Sequence, residues 1–224
     1  MADRGVIVDF DFAVANGAEV LFNTTKKFLK ELDGIAFDVP LEARFLASNG
    51  YQDGLNRLFA LVKTKKTAQK AARELAAAFA VELTKVAPAA VGVAFRNFVK
   101  ALVERGVRIV IATRADIEVL RPAFDFVNGD RVTFYQEASD CFGTCRWDSW
   151  VRACRGAKLG RLTALALAGS GHGVKSALVA GMGAVGVVND HVAYQDYGGA
   201  DCVVPELSGK TAKEILKALR VKFK

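Results

Sequence analysis

The chain has 224 residues, of which 52% are hydrophobic and 25% charged, and its formal net charge is +7. This composition excludes a disordered chain and is sufficient for one substantial core, or for a core domain with a smaller inserted one. No apolar stretch is long enough to span a bilayer, and the first apolar run reads as a strand, so neither a membrane segment nor a signal peptide is expected. The four cysteines lack the spacing of a zinc site, which predicts reduced thiols and a cytoplasmic protein.

Basic residues cluster in two segments, 63–73 and 210–224. Such clusters can bind nucleic acid, but both lie on stretches with apolar residues at helical spacing, which favours ordinary solvated helix faces. A nucleic-acid partner is therefore not expected. The positive charge predicts a mild attraction for anionic, phosphate-containing substrates.

The first predicted element is a strand that ends in Asp9-Phe10-Asp11. Its residues are apolar on both faces, which is typical of a central parallel strand, and open α/β sheets bind ligands at the C-terminal ends of such strands. Side chains two positions apart on a strand share a face, so Asp9 and Asp11 are predicted to enter one cleft. Two carboxylates in one cleft bind a cation together or divide into an acid and a base. The alternative is a strand end with two solvated acids.

Only helices are predicted over residues 17–88. Apolar residues recur at helical spacing over 17–32, 41–47, 55–62 and 67–85, and no strand alternates with these helices. The segment is therefore a helical insertion between the first strand and the next βα unit. As a lid over the strand ends it would exclude water, and the alternative is a helical hairpin that packs only for stability.

After a helix over 89–105, strands and helices alternate to the end of the chain. Strands are predicted at 107–112, 131–135, 163–168 and 183–188, with a short edge strand at 200–204 and a last helix at 211–219. This alternation predicts a parallel α/β sheet. Thr113-Arg114 directly follows the second strand, where a hydroxyl and free backbone N–H groups can hold an anion. On its own, Thr113 is also compatible with a simple helix N-cap.

These landmarks resemble the haloacid dehalogenase-like (HAD) superfamily, in particular its phosphatases and β-phosphoglucomutases with a helical cap. Asp9-Phe10-Asp11 is similar to the first motif of the family, Thr113 to the second, and residues 168–182 to the fourth. The resemblance implies a Rossmann-like core domain over 1–16 and 89–224 and a cap domain over 17–88. Residues 45–55 resemble the cap turn with which relatives select their substrates.

The resemblance also assigns roles to the strand-end residues. Asp9 would be the nucleophile that attacks phosphorus, and Asp11 the general acid/base. Thr113 would bind the transferring phosphoryl group with help from Arg114. The family cofactor is Mg²⁺, which here would be held by Asp9, Asp11, Ser170 and Asp190.

This sequence departs from the family at several functional positions. Thr144 stands where relatives have the lysine of the third motif, and Arg146 is the nearest cation that could replace it, ahead of Lys158. Ala168 and Gly169 stand where relatives have the carboxylates that hold Mg²⁺, which usually requires such ligands. Phe12 and Asn16 also depart from the residues that usually follow the first motif. A weak or absent magnesium site is therefore expected.

Three functions remain open at this point. The first is a HAD-like phosphatase or phosphotransferase acting on a small phosphorylated metabolite. The second is a catalytically inactive relative that binds a ligand or a protein partner. At ~4 Å and an effective dielectric of ~20, the repulsion between a carboxylate and a phosphate charge costs about 4 kcal/mol. Losing one cation that offsets this repulsion therefore slows phosphoryl transfer by several factors of ten. Dehalogenation, the third, needs no Mg²⁺, but the second aspartate is a feature of phosphoryl transfer.

Overall fold

The computed structural model describes residues 4–42, 51–62, 64, 66–137, 147–189, 191 and 195–222. Its centre is a six-stranded parallel sheet with the order β3-β2-β1-β4-β5-β6. The strands are β1 (Gly5–Asp9), β2 (Arg108–Thr113), β3 (Val132–Gln136), β4 (Ala164–Ala168), β5 (Gly183–Val187) and β6 (Cys202–Val204). This confirms the predicted α/β class, and each strand lies within two residues of its predicted position. Because the strand order reverses at β1, its C-terminal end is the switch point where such sheets bind ligands.

Six helices connect β1 to β2 within the described residues. They are α1 (Phe10–Ala13), α2 (Gly17–Asp33), α3 (Val39–Leu41), α4 (Tyr51–Leu61), α5 (Ala68–Ala90) and α6 (Val93–Val103). The helix predicted over 89–105 begins only at Val93, because α5 continues through Pro88 to Ala90. The Asp38 carboxylate accepts the Leu41 N–H at 3.0 Å and caps α3. The predicted cap turn falls largely in 43–50, outside the described residues.

The second half contributes α7 (Ile117–Leu120), α8 (Trp147–Gly156), α9 (Gly171–Val179) and α10 (Ala212–Lys222). The sequence also predicts a helix from about Asp116 to Phe126, and the observed α7 is shorter than this. After α7 the chain tightens into a 3-10 turn at Arg121–Phe124, where Pro122 supplies no N–H. Short 3-10 turns also precede β3 and β4.

Helices cover both faces of the sheet, as the apolar β1 sequence predicts. Val6 and Val8 belong to the larger core cluster, which also includes residues of α2, α5 and α6. Ile7 points to the opposite face and packs in a second cluster with Trp150 and Val174 of α8 and α9. The central strand is therefore fixed from both sides, which holds its C-terminal end in place.

No single helix in the described ranges is both long and apolar enough to cross a membrane. The helices α5 and α6 meet that criterion only as a pair, with a 75° bend between them.

Candidate active site

The two aspartates of the first motif are buried, but they do not share one strand. β1 ends at Asp9, and the chain turns directly into α1, which carries Asp11. The extended geometry that would place the two side chains on one strand face therefore stops at Asp9. Asp9 is 1% exposed and Asp11 is fully buried, so the alternative of two solvated acids is wrong.

Asp11 is held by the two residues predicted to bind phosphate. The Thr113 hydroxyl donates to Asp11 Oδ1 at 2.5 Å. The backbone N–H of Arg114 and its Nη1 both donate to Asp11 Oδ2, at 2.9 and 3.0 Å. Burial raises the pKa of Asp11, whereas the Arg114 guanidinium and these hydrogen bonds act against that rise. The donors of the second motif therefore form a buried anion cradle, and the anion in it is a carboxylate of the chain itself.

Asp9 has a very different environment. Neither of its carboxylate oxygens makes a hydrogen bond with the described residues, although both are buried. Burial raises the pKa of Asp9 to about 7, and the negative charges of Asp11 and Glu137 add to this effect. The Arg114 guanidinium lowers this pKa in part. The Phe12 backbone N–H also lowers it, although it lies outside hydrogen-bonding geometry with the carboxylate. Asp9 thus has no hydrogen-bonding partner among the described residues, and its raised pKa favours the protonated form.

Glu137 is a third buried acid at this edge of the sheet, and the sequence interpretation missed it. Its backbone N–H donates to the Thr113 carbonyl at 2.8 Å, one residue beyond the end of β3. Its carboxylate accepts the Ser149 hydroxyl at 2.9 Å, and Arg152 of α8 lies 3.8 Å away. An acid directly after a predicted strand was the available signal, the same one that identified Asp9.

Magnesium does not fit the donors that the structure describes. Asp11 is paired with Arg114, and the Ser170 hydroxyl accepts the Gly173 N–H at 3.0 Å as the cap of α9. In the described parts of the chain, no group of three or more Asp, Glu, His or Cys side chains could hold a metal ion. A Cβ atom on Gly169 would lie 2.2 Å from the carbonyl carbon and oxygen of Phe12. The α1 backbone therefore fills the space that a side chain would need at this position.

The other predicted site residues are only partly described. Thr144 and Arg146 lie in 138–146 and Asp190 lies at a second gap, so all three are outside the described residues. Lys158 is exposed beyond the end of α8. The structure thus brings together Asp9, Asp11, Thr113 and Arg114, and adds Glu137.

No protein-family model and no curated protein matches the sequence. Solved structures do match in fold, over nearly the whole chain. β-Phosphoglucomutase from Clostridium difficile has a TM-score of 0.72 at 14% identity, covering 98% of both chains. The fold is that of the haloacid dehalogenase-like hydrolases. CbbY from Rhodobacter sphaeroides in complex with phosphate (TM-score 0.67, 16% identity, 93% of this chain and 96% of that one) agrees with this conclusion. A HAD hydrolase of family IA, variant 3, from Entamoeba histolytica also agrees with it (TM-score 0.69, 15% identity, 97% of this chain and 99% of that one).

The HAD-like fold confirms the resemblance noted in the sequence. Identities of 14–16% establish the fold, and the roles of individual residues rest on the geometry of this chain. In this chain the segments that follow β1 and β2 meet at the C-terminal edge of the sheet, where Asp11 contacts Thr113 and Arg114.

Proposed function

We propose that this protein is a HAD-like hydrolase of the phosphatase or phosphotransferase type, acting on a small phosphorylated metabolite with Asp9 as nucleophile. The observation that carries this proposal is the environment of Asp9 at the end of the central strand. Its carboxyl group is buried, and neither oxygen makes a hydrogen bond with the described residues. The anion cradle of Thr113 and Arg114 supports it, since Arg114 is close enough to lower the pKa of Asp9. CbbY, a protein of the same fold, has been solved in complex with phosphate.

The reaction uses the side chains as follows. Ionised Asp9 attacks phosphorus, an acyl phosphate forms, and the bond from phosphorus to the substrate oxygen breaks. Protonated Asp11, whose pKa is raised by burial, gives its proton to the leaving oxygen, and the carboxylate so formed later takes a proton from the water that hydrolyses the acyl phosphate. Phosphate leaves, and Asp9 is regenerated. Thr113 and Arg114 bind the phosphoryl oxygens during both steps.

Turnover is expected to be slow. Burial raises the pKa of Asp9 to about 7, so part of Asp9 is protonated, and not nucleophilic, at neutral pH. Glu137, and Asp11 whenever it is ionised, also oppose a phosphate dianion, and each unit of repulsion costs about 4 kcal/mol at ~4 Å and a dielectric of ~20. The described donors do not form a Mg²⁺ site. The proposed reaction therefore depends weakly or not at all on magnesium.

The test is hydrolysis of 4-nitrophenyl phosphate by the wild-type protein and by Asp9→Asn, each with Mg²⁺ and with EDTA. We expect slow release of nitrophenol by the wild type that is little changed by EDTA. Asp9→Asn should fall to the background rate because a carboxamide is not a nucleophile. Asp130→Asn, which removes an exposed acid near β3, should keep the wild-type rate. Equal rates in the wild type and Asp9→Asn would rule out the proposed nucleophile.

A second candidate is a catalytically inactive protein that binds a ligand or a protein partner. The observation in its favour is that Asp11, the proposed acid/base, is hydrogen-bonded through both carboxylate oxygens to Thr113 and Arg114. Phosphate binding by a wild-type protein that shows no turnover would support this candidate.

We also propose that residues 17–88 form a cap domain over a core of 1–16 and 89–224. Two contacts support this: the Phe79 ring of α5 packs 6.1 Å from that of Phe12, and Thr84 accepts the Asp116 N–H at 2.9 Å. The helix α5 thus touches the segments that follow both β1 and β2.

A cytoplasmic location and the lack of a nucleic-acid partner remain predictions.

A further inference from the structure

The anion cradle at the end of β2 is well built and is occupied. Three donors, the Thr113 hydroxyl and the backbone and side-chain N–H groups of Arg114, converge on the two oxygens of Asp11. The Arg114 side chain is 3% exposed and that of Asp11 is 0% exposed. Charged donors in such a buried arrangement bind an anion strongly, and a carboxylate and a phosphoryl group offer them the same kind of oxygen.

We propose that Asp11 is an internal anion that fills the Thr113–Arg114 cradle in the ligand-free protein and is exchanged there for the phosphoryl group of the substrate. This inference rests on the proposed function, since it names the event by which that substrate enters the site. Its basis is the juxtaposition of an acid from the first motif with the donors assigned to phosphate in the second.

The exchange requires only a side-chain rotation, because the backbone around Asp11 is fixed. A Cβ atom on Gly17 would lie 2.5 Å from the Asp11 carbonyl oxygen, so α2 packs directly against this peptide group. The N–H groups of Val14 and Ala15 both donate to the Phe10 carbonyl, at 3.0 and 2.9 Å. Asp11 therefore leaves the cradle by rotation about its side-chain bonds while α1 stays in place.

The cradle itself stays in position when its occupant changes. The Thr113 hydroxyl also accepts the Ala115 N–H at 3.0 Å, which fixes its orientation. The Arg114 guanidinium lies 5.9 Å from the centre of the Phe12 ring, a cation–π contact that does not involve Asp11. With phosphate in the cradle the buried guanidinium keeps an anionic partner, so it is never left as an uncompensated charge. The released Asp11 no longer faces the guanidinium, takes up a proton from solvent, and is then available for the proton transfers assigned to it above.

The test compares inorganic phosphate binding to Asp11→Asn, Asp9→Asn and the wild type by isothermal titration calorimetry at one pH and ionic strength. At about pH 9, where Asp9 is ionised as well, each variant removes one negative charge from the same site, but only Asp11→Asn removes the anion that occupies the cradle. We expect Asp11→Asn to bind phosphate about ten- to a hundredfold more tightly than the wild type, the range that a charged hydrogen bond commonly contributes. Asp9→Asn should gain distinctly less. In the Asp11→Asn background, Thr113→Val should abolish most of the gain.

Equal gains in Asp9→Asn and Asp11→Asn would show that only charge matters and would overturn the proposal, as would no gain in Asp11→Asn. A second measurement uses the wild type alone, in case Asp11→Asn does not fold. In NMR spectra, phosphate should shift the Arg114 backbone amide and the Asp11 carboxyl carbon with one common saturation curve. Independent shifts, or shifts in neither group, would contradict the exchange. Because neither measurement requires turnover, exchange without hydrolysis would reject the proposed function and leave this inference intact.

Discussion

Asp9→Asn is expected to be more stable than the wild-type protein at about pH 8, by up to about 4 kcal/mol. Burial raises the pKa of Asp9 from 3.8 to about 7 in the folded state. Between these values the folded protein holds a proton that the unfolded chain has released, so stability falls as the pH rises from about 4 through about 7. The difference between these two pKa values limits the loss of folding stability to about 4 kcal/mol. Asparagine has no charge to bury and escapes this loss.

Urea unfolding at about pH 4.5 and about pH 8, with EDTA present, measures this effect. The wild type should lose stability between the two conditions, and Asp9→Asn should lose clearly less. Some slope should remain in the variant, because burial also raises the pKa of Glu42 to about 7. The exposed-acid variant Asp130→Asn serves as the control and should follow the wild type. Parallel curves for the wild type and Asp9→Asn would contradict a buried, uncompensated Asp9.

Gly169→Ala is expected to destabilise the protein by about 3 kcal/mol or more. The new methyl group would lie 2.2 Å from Phe12 backbone atoms and 2.5 Å from the Ala13 nitrogen. Backbone atoms cannot rotate away as a flexible side chain can, so α1 would have to shift, and overpacking of this kind costs typically 1–3 kcal/mol and sometimes more. Gly169→Asp should be worse still, because its side chain is larger. The α1 backbone thus leaves no room for a side chain at residue 169.

Thermal and urea unfolding of Gly169→Ala against Gly156→Ala tests this expectation. Gly156 ends α8, and a Cβ atom there meets nothing within 4 Å, so its replacement should change stability by about 1 kcal/mol or less. If both variants unfold like the wild type, the α1 backbone yields easily and the space at residue 169 can accept a side chain.

The strands and their order along the chain were predictable because each is a short apolar run bounded by turns. The apolar residues of β1 point alternately into two core clusters, which is why both of its faces read as buried. Helix ends were predicted less well. Propensity alone did not indicate that α5 would continue past Pro88, or that the helix after Asp116 would tighten at Pro122.

The candidate site was predictable in its members but not in its pairings. Parallel strands end at one edge of the sheet, so the residues after β1 and β2 had to meet there. The sequence predicted that Asp9 and Asp11 enter one cleft from the same face of an extended chain, and only the family resemblance gave them different roles. The structure separates them: Asp11 is engaged by three donors, and Asp9 by none of the described residues. Glu137 was not predicted because it follows β3, an edge strand at whose end no motif was recognised.

The sequence by itself therefore determined the parallel sheet, the helical insertion and the set of polar residues at the strand ends, because these depend on local periodicity and on the common direction of the strands. Only the tertiary structure decided that the Thr113–Arg114 cradle holds Asp11 and that buried Asp9 has no hydrogen-bonding partner in the part of the chain that the structure describes. The reason is physical: Asp11 and Thr113 are 102 positions apart, and burial and charge pairing arise only when the packed helices close around them.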